Sequence, residues 1–348
     1  MENFDWQGLY RFASEQAILG VVFEGVKRLG GQGVKPPFRL LLEWAAMVDQ
    51  IERRNRQVDE AAAKLVAELD EDGFSSCILK GQGNALLYPN PKVRISGDID
   101  VWVWPSRMVC SEQTMIGRGI REIVKYVKKR IPYARAIYHH IDYGSIDDIE
   151  VEVHYRPSFM FHPVHNGRLQ QWFDHNAKEQ FRHFAELPDN VGSVAVPNTD
   201  FNIVFQLSHI YNHLLHEGIG LRQLIDYYYL LKTQNPPVSG NWKKTLKSLG
   251  MWKIAKALMW VMHEELGLDG KYLIAPTDER LGRMMLDEIL RGGNFGKYDE
   301  ANVQADTQLK KNLQRIRRDF RMLRYFPSEC LFEPVFRVYH FFWRQWYN

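Results

Sequence analysis

Apolar residues recur every three or four positions along much of the chain, which is the spacing of a helix with one buried face. At the N-terminal end this spacing covers residues 11–29 and 38–70. An acidic stretch that ends in glycine, residues 70–73, follows directly and is a turn signal. We therefore predict an N-terminal helical segment over residues 1–73.

A pattern with a period of two residues begins after this turn. Ile99, Val101 and Val103 alternate with aspartate and tryptophan, as expected for a strand with one apolar face. Further helical and strand-like runs lie at residues 82–88, 111–130, 134–143 and 149–155. Together they predict a small α/β unit with a mixed sheet over residues 74–198.

Helical spacing dominates again from residue 199 to the end of the chain. The predicted helices cover residues 200–216, 221–233, 241–268, 278–291 and 307–325. The predicted fold class is therefore α+β, with a small mixed-sheet core at residues 74–198. The N-terminal helical segment precedes this core, and a helical bundle over residues 199–348 follows it.

Composition and charge narrow the class of protein. The chain has 348 residues, 45% of them hydrophobic, which is enough for two domains or one elaborated domain. A formal net charge of only +3 does not indicate a dedicated nucleic-acid-binding protein. Three scattered cysteines predict neither a disulfide framework nor a zinc cluster. Neither a signal peptide nor an apolar run of membrane-spanning length is evident, so we expect a cytoplasmic, soluble protein with no membrane partner.

The period-two strand carries the first candidate chemistry. Asp98 and Asp100 are two residues apart, so their carboxylates would lie side by side on one face. Two such charges repel unless a cation lies between them, and oxygen ligands suit Mg²⁺ or Mn²⁺. We therefore expect Asp100→Asn to leave the metal-free stability unchanged or to raise it. The alternative is a pair of aspartates on a solvated edge strand.

A glycine turn lies upstream of this strand. Lys80, Gly81 and Gln82 follow a short apolar run and precede a predicted helix. The backbone N–H groups at a helix N-terminus suit a phosphate, and glycine permits a close approach. The alternative is an ordinary strand–helix turn, which is common.

A third acidic element lies on a later strand. Glu150, Glu152 and His154 alternate with valine and share one face. A carboxylate from this strand beside the aspartate pair would complete a site for two metal ions. For Glu150 we favour a solvated outer position.

These motifs resemble a known family. Leu79-Lys80-Gly81, Leu87-Tyr88-Pro89, Arg94 and Gly97-Asp98-Ile99-Asp100 resemble the polymerase-β-type nucleotidyltransferase superfamily, and more closely its bacterial "uncharacterised nucleotidyltransferase" family. Glu152-Val153-His154 and the segment from His213 to Asp226 continue the similarity, which covers most of residues 10–235. Two departures are Gln82 where serine is usual and Glu152 where aspartate is more usual.

The resemblance implies a reaction and a role for each matching residue. Asp98 and Asp100 would hold two Mg²⁺ ions, with Mn²⁺ as a substitute, and Glu152 would bind the second ion and help to activate the acceptor hydroxyl. Backbone N–H groups of Gly81 and Gln82 would bind phosphates of a nucleoside triphosphate, and Lys80 and Arg94 would neutralise phosphate charge. The alternative for both basic residues is a surface salt bridge. The acceptor, whether a sugar, another small molecule, a protein hydroxyl or an RNA end, stays open.

Two further groups lie on predicted helices. His209, His213 and His216 share one helix face, but we favour packing near the cleft over a zinc site. Arg222 and Asp226 are four residues apart, so they could pair with each other, or Arg222 could lie near the nucleotide.

The last predicted helix is basic and amphipathic. Seven lysines and arginines lie at residues 310–324, opposite an apolar stripe that includes Phe320. This helix could bind RNA or an anionic surface, but we favour packing of the stripe on the bundle, with Phe320 buried. Two alternatives to an enzyme therefore remain: a catalytically silent nucleotide-binding or scaffolding protein, and an RNA-binding protein.

Overall fold

Three helices form the N-terminal segment of the computed structural model, which describes residues 4–109, 116–216, 218–234, 241–294, 318 and 320–348. They are α1 (Trp6–Glu15), α2 (Leu19–Gly30) and α3 (Phe38–Glu71). Asp5 caps α1 by accepting a hydrogen bond from the Gly8 backbone N–H at 2.8 Å. Sequence spacing predicted one helix where α1 and α2 now lie; a left-handed residue, Ala17 at φ 55°, separates them.

A four-stranded mixed sheet forms the centre of the fold, as predicted. Its strands are β1 (Phe74–Ile78), β2 (Ile99–Pro105), β3 (His140–Ile146) and β4 (Ile149–His154), in the order β1-β2-β4-β3. Strands β2 and β4 are parallel, and the two outer pairs are antiparallel. The class is α+β, with helices on both sides of this small sheet.

The two faces of the sheet differ in chemistry because the side chains alternate. Ile99, Val101 and Val103 are buried in one core cluster with apolar residues of α3 and of α5 (Ile116–Arg130), which follows the short helix α4 (Gln82–Ala85). The opposite face carries Asp100 and Trp102 on β2 and polar residues on β3 and β4. Trp102 packs between Phe181 and Phe201, with ring centroids 4.6 and 5.6 Å away.

A helical bundle covers the polar face of the sheet. Its described helices include α6 (Pro163–Gln180), α7 (Thr199–His216), α8 (Leu221–Lys232), α9 (Trp242–Ser248), α10 (Trp252–Trp260) and α11 (Glu279–Gly292). Helix α6 and a two-stranded sheet, β5 (Phe184–Glu186) with β6 (Ser193–Ala195), were not predicted from the spacing. One core cluster joins α2, α3, the sheet and the bundle. The predicted boundaries at residues 73 and 198 stay predictions.

The end of the chain departs from expectation at one position. Phe320 is 73% exposed, whereas Met322 is fully buried and Arg318 is nearly so. The prediction that Phe320 packs on the bundle is therefore wrong, because the buried face of this turn is the one that carries Arg318 and Met322. The predicted stripe at residues 309–317 lies outside the described residues. The C-terminal helix is Pro327–Tyr347, and no described helix has the length and apolar character needed to cross a membrane.

Candidate active site

The parallel pairing of β2 with β4 brings the predicted carboxylates together. Asp100 and Glu152 are register partners on adjacent strands, and Asp98 immediately precedes β2. Partner residues on neighbouring strands lie about 4.8 Å apart. All three side chains line one cavity of about 480 Å³ between the sheet and the bundle. A cavity of this size is typical of small-molecule sites.

The turn after β1 brings Lys80 and Gly81 to the same cavity. The Leu79 backbone N–H donates to the Asp100 carbonyl at 2.9 Å and ties this turn to β2. Gly81 has φ 55°, a left-handed conformation, and a Cβ there would lie 3.4 Å from the Asp98 carbonyl oxygen. Lys80 Nζ lies 2.8 Å from Asp100 Oδ1. Gly81 thus allows the turn to pack against β2, and the ammonium group of Lys80 lies beside the acidic residues.

His154 links two of the carboxylates. Its Nε2 lies 3.0 Å from Asp100 Oδ1 and 3.3 Å from Glu152 Oε2. Burial favours the neutral ring, but hydrogen bonds to Asp100 and Glu152 outweigh it and raise the pKa of His154 to about 8. In the metal-free protein a protonated imidazole therefore neutralises part of this acidic cluster.

The two aspartates experience opposite environments. The charge of Asp100, together with burial, raises the pKa of Asp98. Burial would also raise the pKa of Asp100, but the Lys80 ammonium and the hydrogen bond from His154 hold it well below its usual range. Burial lowers the pKa of Lys80, yet the charges of Asp100, Asp98 and Glu152 raise it overall. Because Lys80 and His154 pair with Asp100 without a metal ion, the structure does not support the expectation that Asp100→Asn leaves the metal-free stability unchanged or raises it. The repulsion between the two aspartates instead raises the pKa of Asp98.

Two histidines that sequence reasoning did not single out lie beside Glu152. His140 Nδ1 is 3.3 Å from Glu152 Oε2, and His139 Nε2 is 3.1 Å from His140 Nδ1. Burial and the charge of His154 lower the pKa of His140 to about 4, and burial lowers that of His139 well below its usual range. Both rings are therefore neutral at physiological pH and offer nitrogen lone pairs.

Arg94 lies on the cavity wall in a buried ion pair. Its Nε and Nη2 donate to the two carboxylate oxygens of Asp226, each at 2.7 Å. Tyr88 donates its hydroxyl to Asp226 at 2.6 Å, and Asn84 donates its amide at 3.2 Å. The Nη1 group of Arg94 donates to the Ser96 hydroxyl at 3.2 Å. The ion pair joins the segment before β2 to α8. It is buried, whereas the alternative interpretation of the sequence was a salt bridge on the surface.

The side chain of Gln82 is hydrogen-bonded to α3 and does not line the cavity. Its Nε2 donates to the Asp59 carboxylate on α3 and to the Asn55 carbonyl. Burial raises the pKa of Asp59 to about 6, although the hydrogen bond from Gln82 opposes the shift. The side chain is thus engaged elsewhere, and the expected contact of the Gln82 backbone N–H with a phosphate stays a prediction.

The opposite wall of the cavity belongs to α7 and α8. His209 and His213 are in edge contact, with ring centroids 4.2 Å apart, and His216 packs on Phe161 at 4.6 Å. Arg222 also lines the cavity and donates from Nη1 to the Ile95 carbonyl at 3.1 Å. Asp226 forms its ion pair with Arg94 and not with Arg222, the alternative partner four residues before it.

The donor set of this site fits a divalent cation. Asp98, Asp100 and Glu152 line the same cavity, although Asp98 is not part of a described group with ligand atoms within 4.8 Å of one another. The repulsion from Asp100 that raises the pKa of Asp98 is what a bound cation would relieve. Within the described residues, Asp100, Glu152 and His154 offer ligand atoms within 4.8 Å of one another. A cation bound to Asp100 would replace contacts now made by Lys80 and His154.

Comparisons with known proteins agree with the motifs. The family model described as "Uncharacterised nucleotidyltransferase" matches residues 2–266. Among solved structures, the chain is similar to an antigenic nucleotidyltransferase-like protein from Paracoccidioides brasiliensis, with 13% identity and a TM-score of 0.35 over 65% of this chain and 96% of that chain. This structural likeness is too low to carry an argument, and a search of curated protein sequences finds no match. Because the family match covers most of its length, the chain belongs to the family of uncharacterised nucleotidyltransferases.

Proposed function

We propose that the protein is a Mg²⁺-dependent nucleotidyltransferase that moves a nucleoside monophosphate from a nucleoside triphosphate to an acceptor. The observation that carries this proposal is the convergence of Asp98, Asp100 and Glu152 with Lys80 on one cavity of about 480 Å³. Carboxylate oxygens are the ligands that Mg²⁺ prefers, and Mn²⁺ can take the same ligands in its place. Family membership supports the same reaction class.

The proposed reaction is an in-line displacement at the α-phosphate. An acceptor oxygen forms a bond to the α-phosphorus while the bond from that phosphorus to the bridging oxygen of the β-phosphate breaks. The products are the nucleotidylated acceptor and pyrophosphate, and the acceptor proton passes to a base in the site. Such transfers depend mainly on positioning and on charge stabilisation.

The residues predicted from the sequence would have separate tasks in this reaction. Asp98, Asp100 and Glu152 would hold the metal ions, whose chemistry is to neutralise the triphosphate, and Glu152 would also accept the acceptor proton. Backbone N–H groups of Gly81 and Gln82 would bind the β- and γ-phosphates. Lys80 and Arg94 would supply positive charge on the wall, with Arg94 fixed in place by Asp226.

A thermal-shift screen tests the proposal without knowledge of the acceptor. ATP, GTP, CTP and UTP are each added with Mg²⁺ or with EDTA, because a bound ligand raises the apparent stability by mass action. We expect at least one triphosphate to raise the melting temperature with Mg²⁺ and not with EDTA. Asp98→Asn should lose this shift. Asp49→Asn is the matched control, since Asp49 pairs with Arg53 on the exposed face of α3 and should keep it.

Two results would contradict the proposal. One is that no triphosphate shifts the wild-type protein. The other is an equal shift in Asp98→Asn, which would place nucleotide binding elsewhere. A shift without subsequent pyrophosphate release would support the alternative of a catalytically silent nucleotide-binding protein.

A further inference from the structure

Large apolar side chains lie exposed along one side of the C-terminal helix, Pro327–Tyr347. Their exposed fractions range from 49% for Tyr339 to 77% for Trp346. We call this set the outer face, and its members are Leu331, Val335, Val338, Tyr339, Phe341, Phe342 and Trp346. A helix on the surface of a soluble protein usually turns its apolar side toward the core, so this exposure calls for an explanation.

The outer face is a continuous stripe along the helix. Leu331, Val335, Val338 and Phe342 follow one another at intervals of four, three and four residues. These intervals place the four side chains along one side of a helix, with the spacing of a coiled-coil seam. At about 100° per residue, the seven side chains span an arc of about 160° around the axis, and no charged residue of this helix falls within that arc.

Polar contacts on the other side of the helix fix its rotation. Glu329 and Glu333 are only 1% and 2% exposed. Glu329 accepts a hydrogen bond from the Phe161 backbone N–H at 2.7 Å, and the Tyr138 backbone N–H donates to His340 Nε2 at 3.1 Å. The helix therefore buries charged groups against the protein and turns its apolar stripe outward, which is the reverse of the usual arrangement.

The area of the outer face is that of one side of a stable interface. Aromatic side chains have about 150–250 Å² of surface each, so the seven side chains together expose roughly 600–800 Å². The largest apolar patch on a typical monomer covers about 300–600 Å². A standard protein interface buries about 800 Å² on each partner. The outer face is therefore larger than a monomer normally exposes and close to what a dimer needs.

The chemistry of the outer face favours a protein partner over a lipid bilayer. Helices that lie on a bilayer carry lysine and arginine beside their apolar face. Here Arg337 is paired with Glu333, and Arg344 lies about 140° around the axis from Leu331. Uncharged surfaces rich in aromatic residues are typical of the centre of homodimer interfaces. Such a stripe also meets an identical stripe without repulsion between like charges, as a twofold interface requires.

We propose that the outer face is the contact surface of a homodimer, in which the C-terminal helix packs against the same helix of a second copy about a twofold axis. Val338 and Phe342, in the middle of the stripe, would then be shielded from solvent by the partner. None of the residues that line the active-site cavity belongs to this helix. The inference is therefore independent of the proposed function.

Sedimentation velocity of the full chain across micromolar concentrations tests the inference. We expect a species of twice the chain mass in the wild-type protein. Phe342→Glu should raise the dissociation constant of the dimer by about tenfold or more, because it replaces a central aromatic contact by a charge in each copy. Phe38→Glu is the matched control: Phe38 is 74% exposed on α3, so the same chemical change there should leave the dissociation constant unaltered.

Val338→Glu is a second variant in the middle of the stripe, and circular dichroism confirms that each variant is folded. A wild-type protein that is monomeric at every concentration would overturn the inference. So would a dimer that both Phe342→Glu and Val338→Glu leave intact, since its interface would lie elsewhere. A monomer that sediments with vesicles of phosphatidylcholine and phosphatidylserine, and loses this binding in Phe342→Glu, would assign the outer face to a bilayer instead.

Discussion

Arg94 and Asp226 form a two-point ion pair whose Nε–Oδ1 and Nη2–Oδ2 distances are both 2.7 Å. Both side chains are nearly inaccessible to solvent. The charge of Arg94 holds the pKa of Asp226 below its usual range in spite of burial. The pair connects the segment before β2 to α8 and so fixes the bundle against the sheet at the edge of the cavity.

Removal of one partner should therefore lower the free energy of unfolding. Asp226→Asn leaves the buried Arg94 guanidinium without its counter-charge, and we expect a loss of about 3–5 kcal/mol in the free energy of unfolding. Tyr88→Phe removes a single hydrogen bond to the same carboxylate and should cost about 0.5–1.5 kcal/mol. Urea denaturation measures both. Equal midpoints for Asp226→Asn and the wild type would show that the pair contributes no stability.

In EDTA, substitution of Asp98 and of Asp100 by asparagine should change the free energy of unfolding in opposite directions. Asp100→Asn removes the partner of Lys80 and His154, so we expect a loss of about 1–3 kcal/mol in the free energy of unfolding at neutral pH. Asp98→Asn relieves repulsion from Asp100 and should leave the stability unchanged or raise it. Chemical denaturation of both variants at pH 7 measures the difference.

The pH dependence follows from the direction of each pKa shift. The pKa of Asp100 is lowered in the folded protein, so its stabilising effect is present above the unfolded pKa and is lost as the pH falls through the folded one. The deficit of Asp100→Asn should thus shrink in acid. For Asp98, whose pKa is raised, any gain from Asp98→Asn should be largest at neutral pH and should vanish in acid. A loss of stability for both variants would contradict this account of the electrostatics.

Sequence pattern was sufficient to group the three carboxylates that line the cavity and insufficient to predict which residues surround them. The alternation of Asp98 with Asp100 and of Glu152 with His154 depends only on local strand geometry, which the sequence shows directly. The position of His140 beside Glu152 depends on which strands pair and in which register, and neither is a local property. The one available signal was two adjacent histidines in a strand-like run.

Arg94 illustrates a second limit. Its partner Asp226 lies on a helix more than a hundred residues later, so no local pattern indicates the pairing. Phe320 illustrates a third, since helical spacing identifies a stripe but not the surface against which it packs. Long-range packing decides these cases.

The buried carboxyl group of Asp59 should make the free energy of unfolding depend on pH. Its pKa is raised from 3.8 to about 6, so its ionised form destabilises the folded protein, and this cost grows as the pH rises from about 4 to 6. Asp59→Asn keeps an oxygen that can accept from Gln82 and loses the charge. It should stabilise by about 1–3 kcal/mol at pH 7.5 and have little effect near pH 4. Thermal melts at both pH values measure this, and a pH-independent difference would exclude burial of the charge as the cause.

A pair of substitutions tests the packing near the end of the chain. Phe320 is 73% exposed, so Phe320→Ala should change the free energy of unfolding by no more than about 0.5 kcal/mol. Met322 is fully buried, so Met322→Ala should cost about 2–5 kcal/mol. Denaturant titration of both variants gives the comparison. The reverse order would support the interpretation in which Phe320 packs on the bundle.

The most direct test of the central claim is which bond of the triphosphate breaks. The protein is incubated with Mg²⁺, a heat-inactivated cell extract as the source of acceptors, and the triphosphate selected by thermal shift, labelled with ³²P at either the α- or the γ-position. Nucleotidyl transfer predicts that the α-label appears on an acceptor and the γ-label in pyrophosphate, and that Asp98→Asn abolishes both. The account is contradicted if the α-label is not transferred, if the γ-label moves to an acceptor or to orthophosphate, or if Asp98→Asn reacts like the wild type.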